Sequence, residues 1–103
     1  MDVFALSRAV EQEIGGVLSR PKFARAIRQE RRDYILNALR NTAVWFEPEV
    51  RVTDCRDPKD NKYLELALAA SAAMIVSRDE DLLVLDPWRG VRILRPAEYL
   101  ALA

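Results

Sequence analysis

The sequence contains no histidine and a single cysteine, Cys55. These absences exclude disulfide frameworks, zinc sites built from Cys and His, and every mechanism that needs an imidazole base. Carboxylates are therefore the side chains left to serve as catalytic bases. Lys plus Arg and Asp plus Glu are equal at 16 each, so no global charge attracts nucleic acid, and such binding would need a local patch.

The sequence also lacks an apolar run long enough to span a bilayer, and it has no cationic, apolar and small-residue leader at its start. We therefore expect no membrane partner and a reduced, cytoplasmic location. The 103 residues, half of them hydrophobic, suit one small globular domain covering residues 1–103.

The stretch from Asp57 to Leu83 places acidic residues at both ends of an apolar middle. From Leu64 onward, apolar residues recur at helical spacing, and the uncharged run Ala72–Val76 is typical of a buried strand. A helix of about twelve residues and a strand of about five have similar lengths, so Asp60 and Asp79 are expected to meet at the carboxyl end of the strand. Open α/β sheets place their ligand sites at that edge.

Two interpretations of these aspartates remain open. Carboxylates about 4 Å apart repel by about 4 kcal/mol at an effective dielectric of 20, and a hard divalent cation such as Mg²⁺ relieves that repulsion best. The alternative is helix capping alone. Asp57 before Pro58 has the pattern of a helix start, and residues Ser77 to Asp81 could cap a short turn in the same way.

The remaining chain alternates short apolar strands with helices, which predicts an α/β fold with a mostly parallel sheet. Inward-facing residues of the second helix are predicted to be Ile27, Tyr34, Ile35, Ala38 and Leu39, and Trp45 is predicted to lie in the core. The predicted elements are a strand at Val3 to Leu6, helices over Ser7 to Leu18 and about Pro21 to Thr42, strands at Val44 to Phe46 and Val91 to Leu94, and a closing helix at Pro96 to Leu102.

Two further groups of charged residues attract attention. Glu13 borders the apolar face of the first helix, beside Val10 and Val17, so its carboxylate is expected to be partly desolvated, although a solvated edge residue is the simpler alternative. The second predicted helix is strongly basic. That basic face either is solvated or contacts RNA phosphates; its residues include Lys22, Arg25, Arg28, Arg31 and Arg32.

Four runs of the sequence resemble the PIN-domain ribonucleases, in particular the toxin components of toxin-antitoxin pairs related to VapC. The runs are EIGGVLSRPKF from Glu13, CRDPKDNKYLELALAASA from Cys55, IVSRDEDLL from Ile75 and GVRILRPAEYL from Gly90. The resemblance implies a three-layer fold, RNA hydrolysis with Mg²⁺ or Mn²⁺, and a protein antitoxin as partner. It also implies metal ligands and catalytic residues at Glu13, Asp60 and Asp79, with Asp81 close behind and Asp57 as an outer or capping residue.

One part of the family pattern has no match here. The resemblance implies an earlier strand that ends in a metal-ligand aspartate, so the chain is expected to be a PIN-like domain that is incomplete at its N-terminus. We therefore expect this chain to cleave RNA poorly or not at all, and a version extended upstream to include such a strand to be active. Open strand edges favour pairing with another chain, including a homodimer. The alternatives are a non-catalytic remnant that binds protein or RNA and, ranked last, a phospho-receiver.

Overall fold

The structure, a computed structural model, describes residues 4–102 and divides into two compact units at Phe46 and Glu47. Its strands pair in parallel and are accompanied by helices, so the predicted α/β class is confirmed. The elements in chain order are β1 (Ala5–Leu6), α1 (Arg8–Leu18), α2 (Pro21–Ala26), α3 (Gln29–Thr42), β2 (Val44–Trp45), a 3-10 turn (Pro58–Asp60), α4 (Asn61–Ala70), β3 (Met74–Val76), α5 (Glu80–Leu83), β4 (Arg92–Leu94) and α6 (Pro96–Ala101).

The first unit contains one pair of parallel strands and three helices. Ala5 of β1 lies opposite Val44 of β2, and Leu6 lies opposite Trp45. Ser7 is the N-cap of α1, as predicted, since its buried hydroxyl accepts a hydrogen bond from the Val10 amide at 3.2 Å. This bond satisfies one of the amides that a helix start leaves without a partner inside the helix. The predicted first strand began at Val3, which lies outside the described residues.

The predicted continuous helix from Pro21 to Thr42 is wrong, because the chain leaves helical geometry between α2 and α3. Ile27 and Arg28 are extended, with ψ angles of 125° and 149°. A single helix would place Arg25, Arg28 and Arg32 on one face, where like-charged neighbours destabilise a helix by about 0.2–0.5 kcal/mol per pair. The break therefore separates Arg25 from Arg28 and Arg32, which stay one turn apart at the start of α3.

The prediction that α3 has an inward-facing apolar stripe fails at two positions. Tyr34 is 71% exposed and Ile35 is 36% exposed, and α3 has no buried residue. The helix contains too few apolar residues to form a wide stripe. Trp45 is also wrong as a core residue, because it is 45% exposed and its Nε1 donates to the Arg40 carbonyl at 3.0 Å.

The second unit contains the main hydrophobic core. Strands β3 and β4 pair in parallel, with Ile75 opposite Ile93, and α4 buries Leu64 completely. Helix α4 ends at Ser71, which adopts a left-handed conformation with φ 50°. One hydrophobic cluster is formed by buried residues of α4, α5, the segment that connects β2 to the 3-10 turn, and the stretch from the Asp86–Gly90 turn into β4. Its members are Val52, Cys55, Leu64, Ala67, Leu82, Trp88, Val91 and Ile93.

Capping residues also begin the short elements of the second unit. Asp57 caps the 3-10 turn by accepting from the Lys59 amide at 3.0 Å, and Asp79 caps α5 by accepting from the Asp81 amide at 2.9 Å. Both caps agree with the capping interpretation of the sequence. Among the described residues, no helix has both the length and the apolar character needed to cross a bilayer.

Candidate metal centre

Three carboxylates of the second unit converge: Asp57, Asp60 and Asp81. One oxygen of each lies within 4.8 Å of one oxygen of both others. We refer to these three residues as the acidic cluster. Two of its members come from the ends of the 3-10 turn and the third comes from the first turn of α5. The cluster therefore joins the two acidic ends of the helix-strand segment that the sequence had singled out.

Asp60 is the most buried member of the acidic cluster, at 6% exposure, while Asp57 and Asp81 are half-buried. Asp60 ends the 3-10 turn and is also the residue before α4, but its side chain makes no capping hydrogen bond there. Burial of a carboxylate is costly unless other groups compensate its charge. Little water therefore reaches the carboxylate of Asp60.

Asp57 and Asp81 each make one hydrogen bond through Oδ1. Asp57 Oδ1 accepts from the Lys59 amide, and Asp81 Oδ1 accepts from Arg56 Nη2 at 2.6 Å. The guanidinium offsets part of the negative charge, although the Arg56 side chain is 70% exposed and Asp81 is 33% exposed. A partial offset by one exposed cation still leaves three acidic groups close together.

Cys55 fixes the loop that carries Asp57. Its amide donates to Asn61 Oδ1 at 2.9 Å, and its Sγ donates to the Asp81 carbonyl at 3.4 Å. The residue is only 5% exposed. Cys55 is thereby tied to the start of α4, directly after Asp60, and to α5, which carries Asp81.

The Cys55 thiol also reports the electrostatics of this region. Burial raises the pKa of the Cys55 thiol, an effect opposed by the Asp57 amide and reinforced by the charges of Asp60, Asp81 and Asp79. The three aspartates therefore lie close enough to one thiol to act on it. A buried thiol with a raised pKa is a poor nucleophile, whereas the two hydrogen bonds of Cys55 hold the loop in place.

The predicted site residues have different placements. Asp60 and Asp81 come together, as members of the acidic cluster. Among residues 4–102, Asp79 is not one of the three members of that cluster. Its Oδ1 instead caps α5. Glu13 lies half-buried on α1 in the first unit. The roles of Glu13 and Asp79 in metal binding stay predictions.

From the sequence, Asp57 was expected to have only a capping or outer role, and no site role was expected for Arg56 or Asn61. Asp57 both caps the turn and faces the cluster, so a capping pattern and a ligand pattern coincide in one residue. Arg56 directly precedes an acidic run, which is a weak signal for a charge partner. The Cys55 hydrogen bonds to Asn61 and Asp81 depend on tertiary packing, and no sequence pattern indicates them.

The donor set of the acidic cluster fits a hard divalent cation. Three carboxylates offer the oxygen ligands that Mg²⁺ and Mn²⁺ prefer, whereas a zinc site would be expected to use His or Cys. At about 4 Å, each pair of such charges repels by about 4 kcal/mol at an effective dielectric of 20. A cation held between them would remove this repulsion.

We refer to six cationic residues of the first unit as the basic segment: Arg20, Lys22, Arg25, Arg28, Arg31 and Arg32. Within the described residues, none of its cations forms an ion pair. Most of these side chains are exposed, but Arg32 is half-buried and its Nη1 donates to the Leu18 carbonyl at the end of α1, at 3.3 Å.

Comparison with known proteins gives a family match. A model described as the PIN domain matches residues 3–81, a range that includes the whole acidic cluster. The uncharacterized protein MJ1680 of Methanocaldococcus jannaschii is 34% identical over 80 residues, which are 77% of this chain and 51% of that protein. The matched part of this chain thus spans about half the length of this curated relative. No solved structure gives a significant match.

Proposed function

Because this chain belongs to the PIN domain family, we propose that it is a metal-dependent endoribonuclease that hydrolyses RNA phosphodiester bonds. The observation that supports the proposal most directly is the convergence of three carboxylates in the acidic cluster. Mg²⁺ or Mn²⁺ is the proposed cofactor, since the cluster offers oxygen donors only. The cytoplasm is the proposed location, and a protein antitoxin is a proposed partner.

Within this proposal, Asp60 and Asp81 are metal ligands, and Asp57 joins them as a third. The bound ion would lower the pKa of a coordinated water and offset charge on the phosphate oxygens. The chain itself keeps the three carboxylates at short range, because Cys55 ties the Asp57 loop to both neighbouring elements. Glu13 and Asp79 are proposed as further ligands or ligand-orienting residues, on the basis of the family resemblance.

The basic segment is the proposed RNA-binding surface. Lys22, Arg25 and Arg28 are exposed and form no ion pair among the described residues, so their charges are available to phosphates. Arg32 was predicted with them, but it is half-buried and its Nη1 already donates to the Leu18 carbonyl. Its proposed contribution is accordingly the weakest of the four.

A toxin role in a toxin-antitoxin pair is the finer form of the same proposal. Its support is the similarity of four sequence runs to the VapC-related toxins, and it requires the nuclease activity. A homodimer is compatible with it, because two-stranded sheets leave strand edges without backbone partners within the pair.

A second candidate is a non-catalytic protein that binds RNA or protein. Two observations favour it: the Asp79 carboxylate caps α5, and Asp81 is engaged by Arg56. If these bonds persist in the presence of a metal, fewer carboxylate oxygens remain for coordination. Binding without cleavage would then be the function of the chain.

RNA cleavage with matched variants separates the two candidates. Single-stranded RNAs are incubated with the chain in Mg²⁺, in Mn²⁺ and in EDTA. Cleavage should require the metal, and Asp60→Asn should lower its rate by about 100-fold or more, because loss of an ion ligand costs several kcal/mol at the transition state. Glu80→Gln, which changes an exposed carboxylate beside Asp81, should stay within about twofold.

Three results would contradict the nuclease proposal: cleavage in EDTA, equal losses in both variants, or no cleavage at all. RNA retention in a filter-binding assay without cleavage would support the non-catalytic candidate. Loss of that retention after Lys22→Ala and Arg25→Ala, but not after Arg92→Ala in the second unit, would support the basic segment as the RNA-binding surface.

A further inference from the structure

Arg56 joins the acidic cluster through one short hydrogen bond while most of its side chain remains open to solvent. Its Nη2 lies 2.6 Å from Asp81 Oδ1, and the side chain is 70% exposed. The backbone on either side is fixed, because Cys55 is buried and Asp57 caps the 3-10 turn. The main chain therefore holds Arg56 next to the acidic cluster, while its guanidinium is free to turn away from Asp81.

An exposed ion pair of this kind is easily exchanged. Such pairs change an equilibrium constant by at most about fivefold, since the solvent screens both charges. A divalent cation held by the three carboxylates competes with Arg56 for the charge of the Asp81 carboxylate and repels the guanidinium. The guanidinium only donates hydrogen bonds, so once displaced from Asp81 it is free to bind another anion.

We propose that Arg56 is a positioning residue with two successive partners. It neutralises Asp81 while the cluster holds no cation, and it binds a phosphate of the RNA strand once a cation has taken its place. The inference rests on the proposed function, since it requires a metal in the acidic cluster. Arginine suits the second role because its planar fork binds phosphate with two parallel hydrogen bonds.

The two roles predict opposite effects of one substitution. Arg56→Met keeps the length of the side chain but removes its charge, so Mn²⁺ should bind more tightly, by about two- to fivefold. RNA should bind more weakly in the presence of the metal, and the slope of log K against log salt should fall by about 0.7, the value for one lost phosphate contact on a single strand. A residue that served only folding would not produce opposite effects on the two ligands.

The experiment uses the whole chain and two binding measurements that need no catalysis. Mn²⁺ affinity is measured by electron paramagnetic resonance of the free ion. RNA affinity is measured with an oligonucleotide modified at its 2′-hydroxyls and bridging oxygens, so that its phosphodiester bonds resist cleavage. The measurement is made in Mn²⁺ at several salt concentrations. Arg56→Lys keeps the charge and should restore part of both effects, and thermal unfolding verifies that every variant is folded.

Arg95→Met is the matched control. Arg95 donates to Glu80 at 2.7 Å and is 50% exposed, so it repeats the exposed ion pair on a carboxylate that is not a member of the cluster. This variant should leave both affinities unchanged. Equal Mn²⁺ affinity in the wild type and in Arg56→Met would overturn the inference, as would an unchanged salt slope for RNA. Failure of the wild type to bind Mn²⁺ would overturn the proposed function as well.

Discussion

Helices α3 and α4 show how differently the two units are built. Helix α3 has 14 residues and none of them is buried, whereas α4 has 10 residues and buries four: Asn61, Leu64, Leu66 and Ala67. Length therefore does not predict how much a helix contributes to the core. The long helix of the first unit presents a charged and polar surface, whereas the shorter helix of the second unit packs into the core.

The charges of the two units differ in the same way. The basic segment of the first unit has no ion pair among the described residues, whereas four arginines of the second unit each pair with a carboxylate: Arg56, Arg89, Arg92 and Arg95. Paired surface charges largely cancel at a distance, and unpaired ones set a local field. In a chain with no net charge, the basic segment therefore gives the first unit a local positive field, which supports its proposed contact with RNA.

The largest expected effect comes from removing the centre of the second unit's core. Leu64 has 0% exposure, so Leu64→Ala should lower the free energy of unfolding by about 2–5 kcal/mol through lost burial and the cavity it leaves. Ile35→Ala in α3 is the matched control, because Ile35 is 36% exposed and should cost less than about 1 kcal/mol. Urea denaturation measures both, and similar losses would refute the contrast between α3 and α4.

A smaller effect is expected at one of the few buried positions of the first unit. Ser7→Ala removes the hydroxyl that caps α1, which should cost about 1 kcal/mol. Amide exchange of Val10 should accelerate, since its hydrogen-bond acceptor is gone. Ser19→Ala, which removes an exposed hydroxyl at the other end of the helix, should leave that amide unaffected. Unchanged Val10 exchange in Ser7→Ala would show that the cap does not hold α1 in place.

The smallest expected effect is a dependence on acid pH at Asp86. The Arg92 side chain and the Ile93 amide lower the pKa of Asp86 by donating hydrogen bonds to its carboxylate. A lowered native pKa contributes stability that is present above the unfolded value, about 3.9, and is lost as pH falls through the native value. The stability difference between the wild type and Asp86→Asn should therefore shrink below about pH 4.

Urea unfolding between pH 2 and pH 7 measures this difference. Asp33→Asn, an exposed carboxylate of α3, serves as the comparison from the first unit. A stability difference for Asp86→Asn that stayed constant down to pH 2 would mean that the Arg92 contact does not distinguish the native state from the unfolded one.

The α/β class and most elements of the second unit followed from sequence, because their signals are local. Apolar runs predicted β3 and β4, and Asp57 and Asp79 before short helical segments predicted the caps. Tyr34 and Trp45 were misjudged because apolar character was taken as burial. Neither residue sits in a stripe that another element covers, and only the fold reveals that.

The candidate site was predicted in outline. Asp60 and Asp81 were both selected, and Asp79 was placed ahead of Asp81 because of the family pattern. Asp79 directly precedes α5 and accepts from the Asp81 amide, whereas Asp81 is a member of the acidic cluster; a ligand role for Asp79 stays a prediction. Residue type and spacing identify which carboxylates are near the edge, but the tertiary structure decides which of them converge.

The pairing of the strands has a consequence for how the chain acquires its fold. Ala5 pairs with Val44, whereas Met74 pairs with Arg92, so the first strand pair closes a loop about twice as long as the second. Each doubling of a loop adds about 0.6 kcal/mol of closure entropy, and non-local pairing slows folding. The second unit also gains core burial when its strands meet. We therefore expect β3 and β4 to pair early, so that the segment bearing the acidic cluster matures before β1 finds β2.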